Sequence, residues 1–480
     1  MNSRSKKILA LVLSAITIVS VIIIVIILIP PLDSGRKYPK DTFIWISGDN
    51  SHSNNGTYGT KGVADANNMP GARSTSCSWT DSSGNLWLFG GYGFDNVSGV
   101  DGYLNDLWKF DGSTWTWVSG NYSRNNSGIY GIKGVADAAN MPGARRYSAY
   151  WVDLYGNFWL FGGTGYDNVS GADGYLNDLW KYDVGTNMWT WISGNYSRNN
   201  NGTYGTKGVA NSNNIPGGRA YAPSMVDSSG NLWLFGGRGY DNVSGADGYL
   251  NDLWKYDVQT NMWTWISGNY SRNNNGTYGT KGVANSNNIP GGRNFHSSWS
   301  DSSGNFWVFG GMGYGNVSSS PEILNDLWKY DIGCNMWTWV SGNYSGFNNG
   351  TYGVKGIADV NNVPGARWAS ATWVDSSYNL WLFGGTGYGN SSTIPGRLND
   401  MWKYDIGSNM WTWMNGNYSI NNNGSYGIKY VASSSNVPGG RSTNTCWKDK
   451  NGDFWFFGGF GYDKDSGLER RLNDLWVYSP

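Results

Sequence analysis

A six-residue apolar run ending in two glycines constrains this chain more than any other feature. Leu86-Trp87-Leu88-Phe89-Gly90-Gly91 returns as Phe158–Gly163, Leu232–Gly237, Phe306–Gly311, Leu380–Gly385 and Phe454–Gly459, with successive copies 72 or 74 residues apart. A second block, Leu104-Asn105-Asp106-Leu107-Trp108, recurs from Leu176, Leu250, Leu324, Leu398 and Leu472. A third, Trp115-Thr116-Trp117, recurs from Trp189, Trp263, Trp337 and Trp411. A chain that repeats one supersecondary unit at a fixed period stacks copies of that unit.

Each unit reads as four short strands. Strand a follows an arginine (Arg73, Arg145, Arg219, Arg293, Arg367 or Arg441) and is rich in Ser, Ala and Thr. Strand b is the apolar run, continuous as in a strand buried on both faces. Strand c is the Leu-Trp-Lys-Tyr stretch. Strand d is Trp-Thr-Trp-Ile, whose alternation puts both tryptophans on one face. Turns such as Asp81-Ser82-Ser83-Gly84-Asn85 join a to b. One four-stranded unit cannot bury both faces, but six in a ring can, so the expected fold is an all-β, six-bladed β-propeller over residues 43–480. The sixth unit lacks strand d, whereas Phe43-Ile44-Trp45-Ile46-Ser47-Gly48 is a strand d without its partners. The ring is therefore expected to close through its N-terminal strand, covering the edge that blade six would expose. The 71 glycines, 29 tryptophans and 14% charged residues suit many short strands joined by tight turns.

These residues resemble the kelch repeat. The Gly-Gly doublet is kelch-like, as is a Tyr seven positions before a Trp in Tyr182/Trp189, Tyr256/Trp263, Tyr330/Trp337 and Tyr404/Trp411. The repeat departs from the usual kelch length of about 50 residues. The resemblance implies a propeller with protein-interaction or carbohydrate-related roles, and some kelch propellers belong to copper radical oxidases of the galactose-oxidase kind.

Ahead of the propeller, residues 8–29 carry no charge and would form a helix of roughly 33 Å, enough to span a bilayer. Arg4, Lys6 and Lys7 place residues 1–7 in the cytoplasm, and residues 30–42 form a linker. The propeller is then outside the cytoplasm on a single-pass signal anchor, with the linker entering strand d on its plain side.

Strand direction alternates, so the short a–b and c–d turns share one face and the longer b–c and d–a loops share the other. The b–c loop spans about a dozen residues, as from Arg238 to Tyr249, and the d–a loop about 25. Long loops often carry function. The near-identical d–a copies favour a structural collar, which can coexist with a protein or glycan ligand expected on this face. The six strand-a arginines could bind an anion or pair with Asp106, Asp178, Asp252, Asp326, Asp400 and Asp474. Tyr103, Tyr175 and Tyr249 are candidates for stacking on sugar rings. The loop lysines, such as Lys207, read as solvated. Sequons at Asn55, Asn96, Asn121, Asn168, Asn195, Asn201, Asn242, Asn269, Asn275, Asn316, Asn343 and Asn349 lie in or beside the long loops and are acceptors if the host glycosylates.

Other chemistry has little support: the b–c loop acids Asp95, Asp167 and Asp241 are calcium candidates by spacing alone. Lys+Arg and Asp+Glu both total 34, leaving no basic excess for nucleic acid. Cys77, Cys334 and Cys446 have no metal spacing, and Cys77 and Cys446, on neighbouring blades, should face opposite ways. His52 and His296 are the only imidazoles. No catalytic residue, metal site or cofactor is assigned. Asymmetry between blades, as in Pro395-Gly396-Arg397 and Glu469-Arg470-Arg471, is the feature that would mark a site.

Overall fold

A computed structural model describes residues 37–480, and the expected helix over 8–29 lies outside them. Six antiparallel sheets form the blades of an all-β propeller. In blade three, strand a comprises Arg219–Ala220 and Ser224–Val226, b is Leu232–Tyr240, c is Asp247–Asp257 and d is Met262–Ser267. The N-terminal strand Thr42–Ser47 supplies strand d of blade six, pairing antiparallel with Glu469–Ser479. Its side chains alternate between two interfaces. Phe43 and Trp45 pack with Phe383 and Trp381 of blade five, and Ile44 and Ile46 with Leu86 and Trp108 of blade one. Phe43, Ile44 and Ile46 are almost fully buried, and each contributes about 1.5–3 kcal/mol relative to exposure.

The same aromatic packing joins all blades. Between blades two and three, Trp159 and Phe161 meet Leu232, Leu234, Trp254, Trp263 and Trp265. Both strand-d tryptophans thus face one interface, as the alternation requires.

Strand b does not stop at Gly-Gly, which is the main departure from the sequence reading. Gly236 and Gly237 have φ of 59° and 92° and form a bulge, after which the b–c hairpin resumes. The true loop is only Asp241 to Ala246. A Cβ on Gly236 would lie 2.7 Å from the Leu250 carbonyl oxygen and 3.0 Å from that of Arg293 in the next blade, so no other residue fits.

The bulge displaces Asn251 and Asp252 of strand c from the register and turns Asp252 toward Arg219. Arg219 donates to both Asp252 oxygens at 2.7 and 2.8 Å, to the Gly236 carbonyl at 3.0 Å and to that of Gly217 at 3.1 Å. Asp252 also accepts from the Tyr204 hydroxyl at 2.5 Å and from the Trp254 indole N–H at 2.7 Å. All six blades repeat this clamp, with Arg–Asp contacts of 2.7–2.8 Å and 0% side-chain exposure for both partners. Burial of such a pair is tolerable because the charges are paired and both carboxylate oxygens accept hydrogen bonds.

The long d–a loop is an edge cover. The segment leading into blade three runs along that blade's strand d, with Gly208 donating to the Trp265 carbonyl and Asn214 to that of Trp263. Lys207 is not simply solvated: Nζ donates to the Gly268 carbonyl at 2.9 Å and lies 4.4 Å from the centre of the Trp265 ring. In blade six the equivalent loop covers the N-terminal strand, through Tyr430 N–H to the Trp45 carbonyl and Lys429 over Trp45.

Asp252→Ala should cost about 3–5 kcal/mol by stranding a buried guanidinium. The pair Arg219→Met with Asp252→Leu should cost less than that single change. Denaturant unfolding of both variants decides it, and a double variant at least as unstable as the single one would contradict the clamp's energetics.

Candidate functional site

Strand a is broken in every blade at the second residue after its arginine. Thr75, Tyr147, Tyr221, Phe295, Ala369 and Thr443 all have φ between 55° and 67°, a region that side chains other than glycine rarely occupy. The kink turns each backbone toward the previous blade. Tyr221 N–H bonds the Tyr147 carbonyl, Tyr147 that of Thr75, Thr75 that of Thr443, Thr443 that of Ala369, Ala369 that of Phe295, and Phe295 that of Tyr221, at 2.8–3.1 Å. Six hydrogen bonds thereby close a backbone ring around the channel at its loop-bearing end. This ring offsets the cost of the strained residues, about 1–3 kcal/mol each.

The backbone ring is six-fold, but its side chains are not. The three residues after the arginine are Ser-Thr-Ser, Arg-Tyr-Ser, Ala-Tyr-Ala, Asn-Phe-His, Trp-Ala-Ser and Ser-Thr-Asn in blades one to six. The position after Gly-Gly and its strand-c partner vary equally: Tyr92 and Tyr103, Thr164 and Tyr175, Arg238 and Tyr249, Met312 and Ile323, Thr386 and Arg397, Phe460 and Arg471. These residues form cross-strand rows beside the channel mouth.

Their side chains make a continuous belt around the mouth. Arg146 lies over Tyr92, Arg471 over Tyr92 and Phe460, and Arg397 over Phe460 and Trp368, at 4.6–5.9 Å. Trp368 meets Phe295 at 4.9 Å, Phe295 meets Tyr221 at 4.2 Å, and Tyr221 meets Tyr147 at 4.1 Å. Arg146 returns to Tyr147 at 5.2 Å. One arc alternates cations with aromatic faces, and the other is aromatic. Tyr147, Tyr221, Phe295 and Trp368 each keep part of their surface open to solvent.

Below the belt is a cavity of about 170 Å³ lined by the kink residues and by Ser76, Ser148, Tyr150, Ala222, His296, Ser370 and Asn444. Tyr150 also lines a second cavity toward the plain face, so it stands between the two halves of the channel. His296 is 5% exposed, and neither ring nitrogen has a hydrogen-bond partner among the described residues. Burial, then the nearby Arg293, pushes its pKa well below the usual imidazole value, so the ring is neutral. The Asn444 amide is also without partners. Burial holds the Tyr147 phenol above its ordinary value and therefore protonated.

The residues singled out from sequence are distributed as follows. The six clamp arginines sit beneath the mouth, fully committed to protein acceptors. Tyr103, Tyr175 and Tyr249 lie on the variable rows; Tyr103 packs on Arg146 and donates to Asp173 at 2.9 Å. Asp95, Asp167 and Asp241 cap their own loops, as where Asp241 accepts from Val243 N–H, Ser244 N–H and the Ser244 hydroxyl. Among the described residues no three His, Cys, Asp or Glu side chains gather as metal ligands would. His52 belongs to blade six, 4.0 Å from Asp463, and His296 to blade four. The cysteines are free; Cys77 bonds the Ser148 carbonyl and Cys446 that of Thr372, in opposite neighbouring blades. Burial pushes these thiols up to about 12 and about 11. Sequon residues Asn96, Asn168, Asn242 and Asn316 are exposed and donate their backbone N–H to Tyr122, Tyr196, Tyr270 and Tyr344, so the loop sequons share one rim. What sequence reasoning missed is the triplet after each arginine, visible only when the repeats are compared position by position. Comparison with protein-family models and with curated proteins finds no match.

Below about pH 6.5 the unfolded chain binds a proton at His296 that the folded chain refuses, so stability falls as pH falls through that value. Between pH 7.5 and 5 the full chain should lose more stability than His296→Ser, by up to about 1 kcal/mol per pH unit. Serine fits there, since Ser76, Ser148 and Ser370 hold the equivalent place. Parallel pH profiles of the two melting temperatures would contradict a buried neutral imidazole.

Proposed function

We propose that this chain is a membrane-tethered, extracytoplasmic kelch-type propeller that acts as a binding module, taking a protein or glycan ligand at the mouth of its central channel. The observation that carries the reading is the broken symmetry of the belt. A binding site for one ligand needs groups that differ around the ring, and this chain varies its side chains at the mouth while repeating the frame beneath. The site is concave, aromatic and edged with a few oriented charges, as ligand sites usually are. A carbohydrate-binding role is favoured over carbohydrate oxidation, because His296 lines the cavity at the mouth and His52 does not.

The kelch assignment rests on the Gly-Gly bulge and the Tyr-to-Trp spacing. The tether rests on the apolar run over residues 8–29, and two observations are consistent with a loop-bearing face that points away from the bilayer. Lys37 lies among plain-face turns, beside Gly84, Gly112 and Lys450. The exposed sequons rim the opposite face.

Screening the detergent-solubilised full chain on arrays of glycans and of secreted proteins should yield ligands whose binding depends on the belt. Tyr147→Thr and Trp368→Ser, each bringing in a residue that other blades carry at that place, should weaken binding about tenfold or more with the melting temperature retained. Full binding by both variants would overturn the site. For orientation, Cys334 is an exposed thiol on a plain-face turn. After reconstitution, a fluorophore on Cys334 should be quenched by nitroxide-headgroup lipid more than one on Val317→Cys in a Cys334→Ser background, at an exposed loop tip. The reverse order would contradict the proposed orientation.

A further inference from the structure

Granted that the channel mouth is the binding site, we infer that its ligand is a carboxylate-bearing pyranose, the terminal residue of an acidic glycan, with its carboxylate on Arg146. Four arginines edge the mouth. Arg238 pairs with Asp247, Arg397 with Glu469 and Arg471 with Asp101. Among the described residues Arg146 has no carboxylate partner, and its buried Nε has no acceptor. Its guanidinium is held between the rings of Tyr92, Tyr103 and Tyr147 at 4.7, 5.1 and 5.2 Å. These faces stabilise the charge but accept none of its in-plane N–H groups. A fork fixed in orientation with its donors free suits one carboxylate, bound bidentately. The nearby Asp173 is exposed and already accepts the Tyr103 hydroxyl.

The rest of the mouth specifies what carries that carboxylate. Tyr147, Tyr221 and Phe295 offer a continuous, part-exposed aromatic surface for the C–H face of a sugar ring. Behind it, His296 and Asn444 line the same cavity, with their polar side-chain atoms buried. The cavity of about 170 Å³ gives room for one small ring.

The test is calorimetric titration of the full chain in detergent with four probes: methyl β-D-glucuronide, the α-methyl glycoside of N-acetylneuraminic acid, methyl β-D-glucoside and N-acetyl-triglycine. At least one acidic sugar should bind, and the two acidic probes separate a uronic from a nonulosonic source. The glucoside and the peptide should bind about tenfold more weakly or not at all. Arg146→Ser should lose about tenfold or more with its fold intact, since Ser74 and Ser442 occupy this place in other blades. Glucoside bound as tightly as glucuronide, triglycine bound best, unchanged affinity in Arg146→Ser, or no binding of either acid would each overturn the inference. If array ligands depend on the belt yet carry no carboxylate, this ligand class fails and the binding role stands. If no array ligand depends on the belt, both fail.

Discussion

The fold depends on one buried ion pair, made six times. Asp252 receives two bonds from Arg219, one from Tyr204 and one from Trp254. Those four residues come from strand c, strand a, the preceding long loop and strand c again, so one carboxylate ties together the inner strand, the outer hairpin and the edge cover of a blade. A buried ion pair adds little net stability compared with apolar packing. Its contribution here is geometric. It fixes where strand a begins and how the bulge in strand b is oriented, while the aromatic interfaces supply most of the stabilisation.

The clamp also explains why variation is tolerated next to it. Arg145 is locked in its clamp, whereas Arg146, one residue on, points to the belt. The kink at Tyr147 makes its inter-blade bond through backbone atoms alone, so any side chain can be carried there. Thr75 and Ala369 make the same bond as Phe295 and Tyr221. A frame held by invariant side chains and a rim held by backbone hydrogen bonds separate stability from recognition within three residues of sequence.

Much of this was legible in advance. The period gave six blades, the orphan Trp45 strand gave the closure, and pairing with the Asp block was one of two readings of the strand-a arginines. The bulge was not: an apolar run followed by Gly-Gly reads equally as a strand that ends, and only the clash of a Cβ with Leu250 and Arg293 shows why the strand continues. The structural use of the d–a loops was legible in their near-identical copies, but which edges they cover was not. Near-identical d–a copies decorate one face but are used to cover strand edges, so their length reflects edge protection. The mouth was half-legible. Arg397 and Arg471 stood out as asymmetric loop residues, but Tyr147, Tyr221 and Phe295 looked like ordinary strand-a positions. Positive φ at a non-glycine residue leaves no mark on the sequence.

The central claim is that ligand engages the belt and not the loop tips. Hydrogen exchange of the full chain, with and without an array-identified ligand at saturation, tests it directly. The account predicts slowed exchange at residues 74–76, 146–148, 220–222, 294–296, 368–370 and 442–444, with the loop tips around Val97, Val169, Val243 and Val317 unchanged. Protection confined to those tips, with the triplets unaffected, would contradict it.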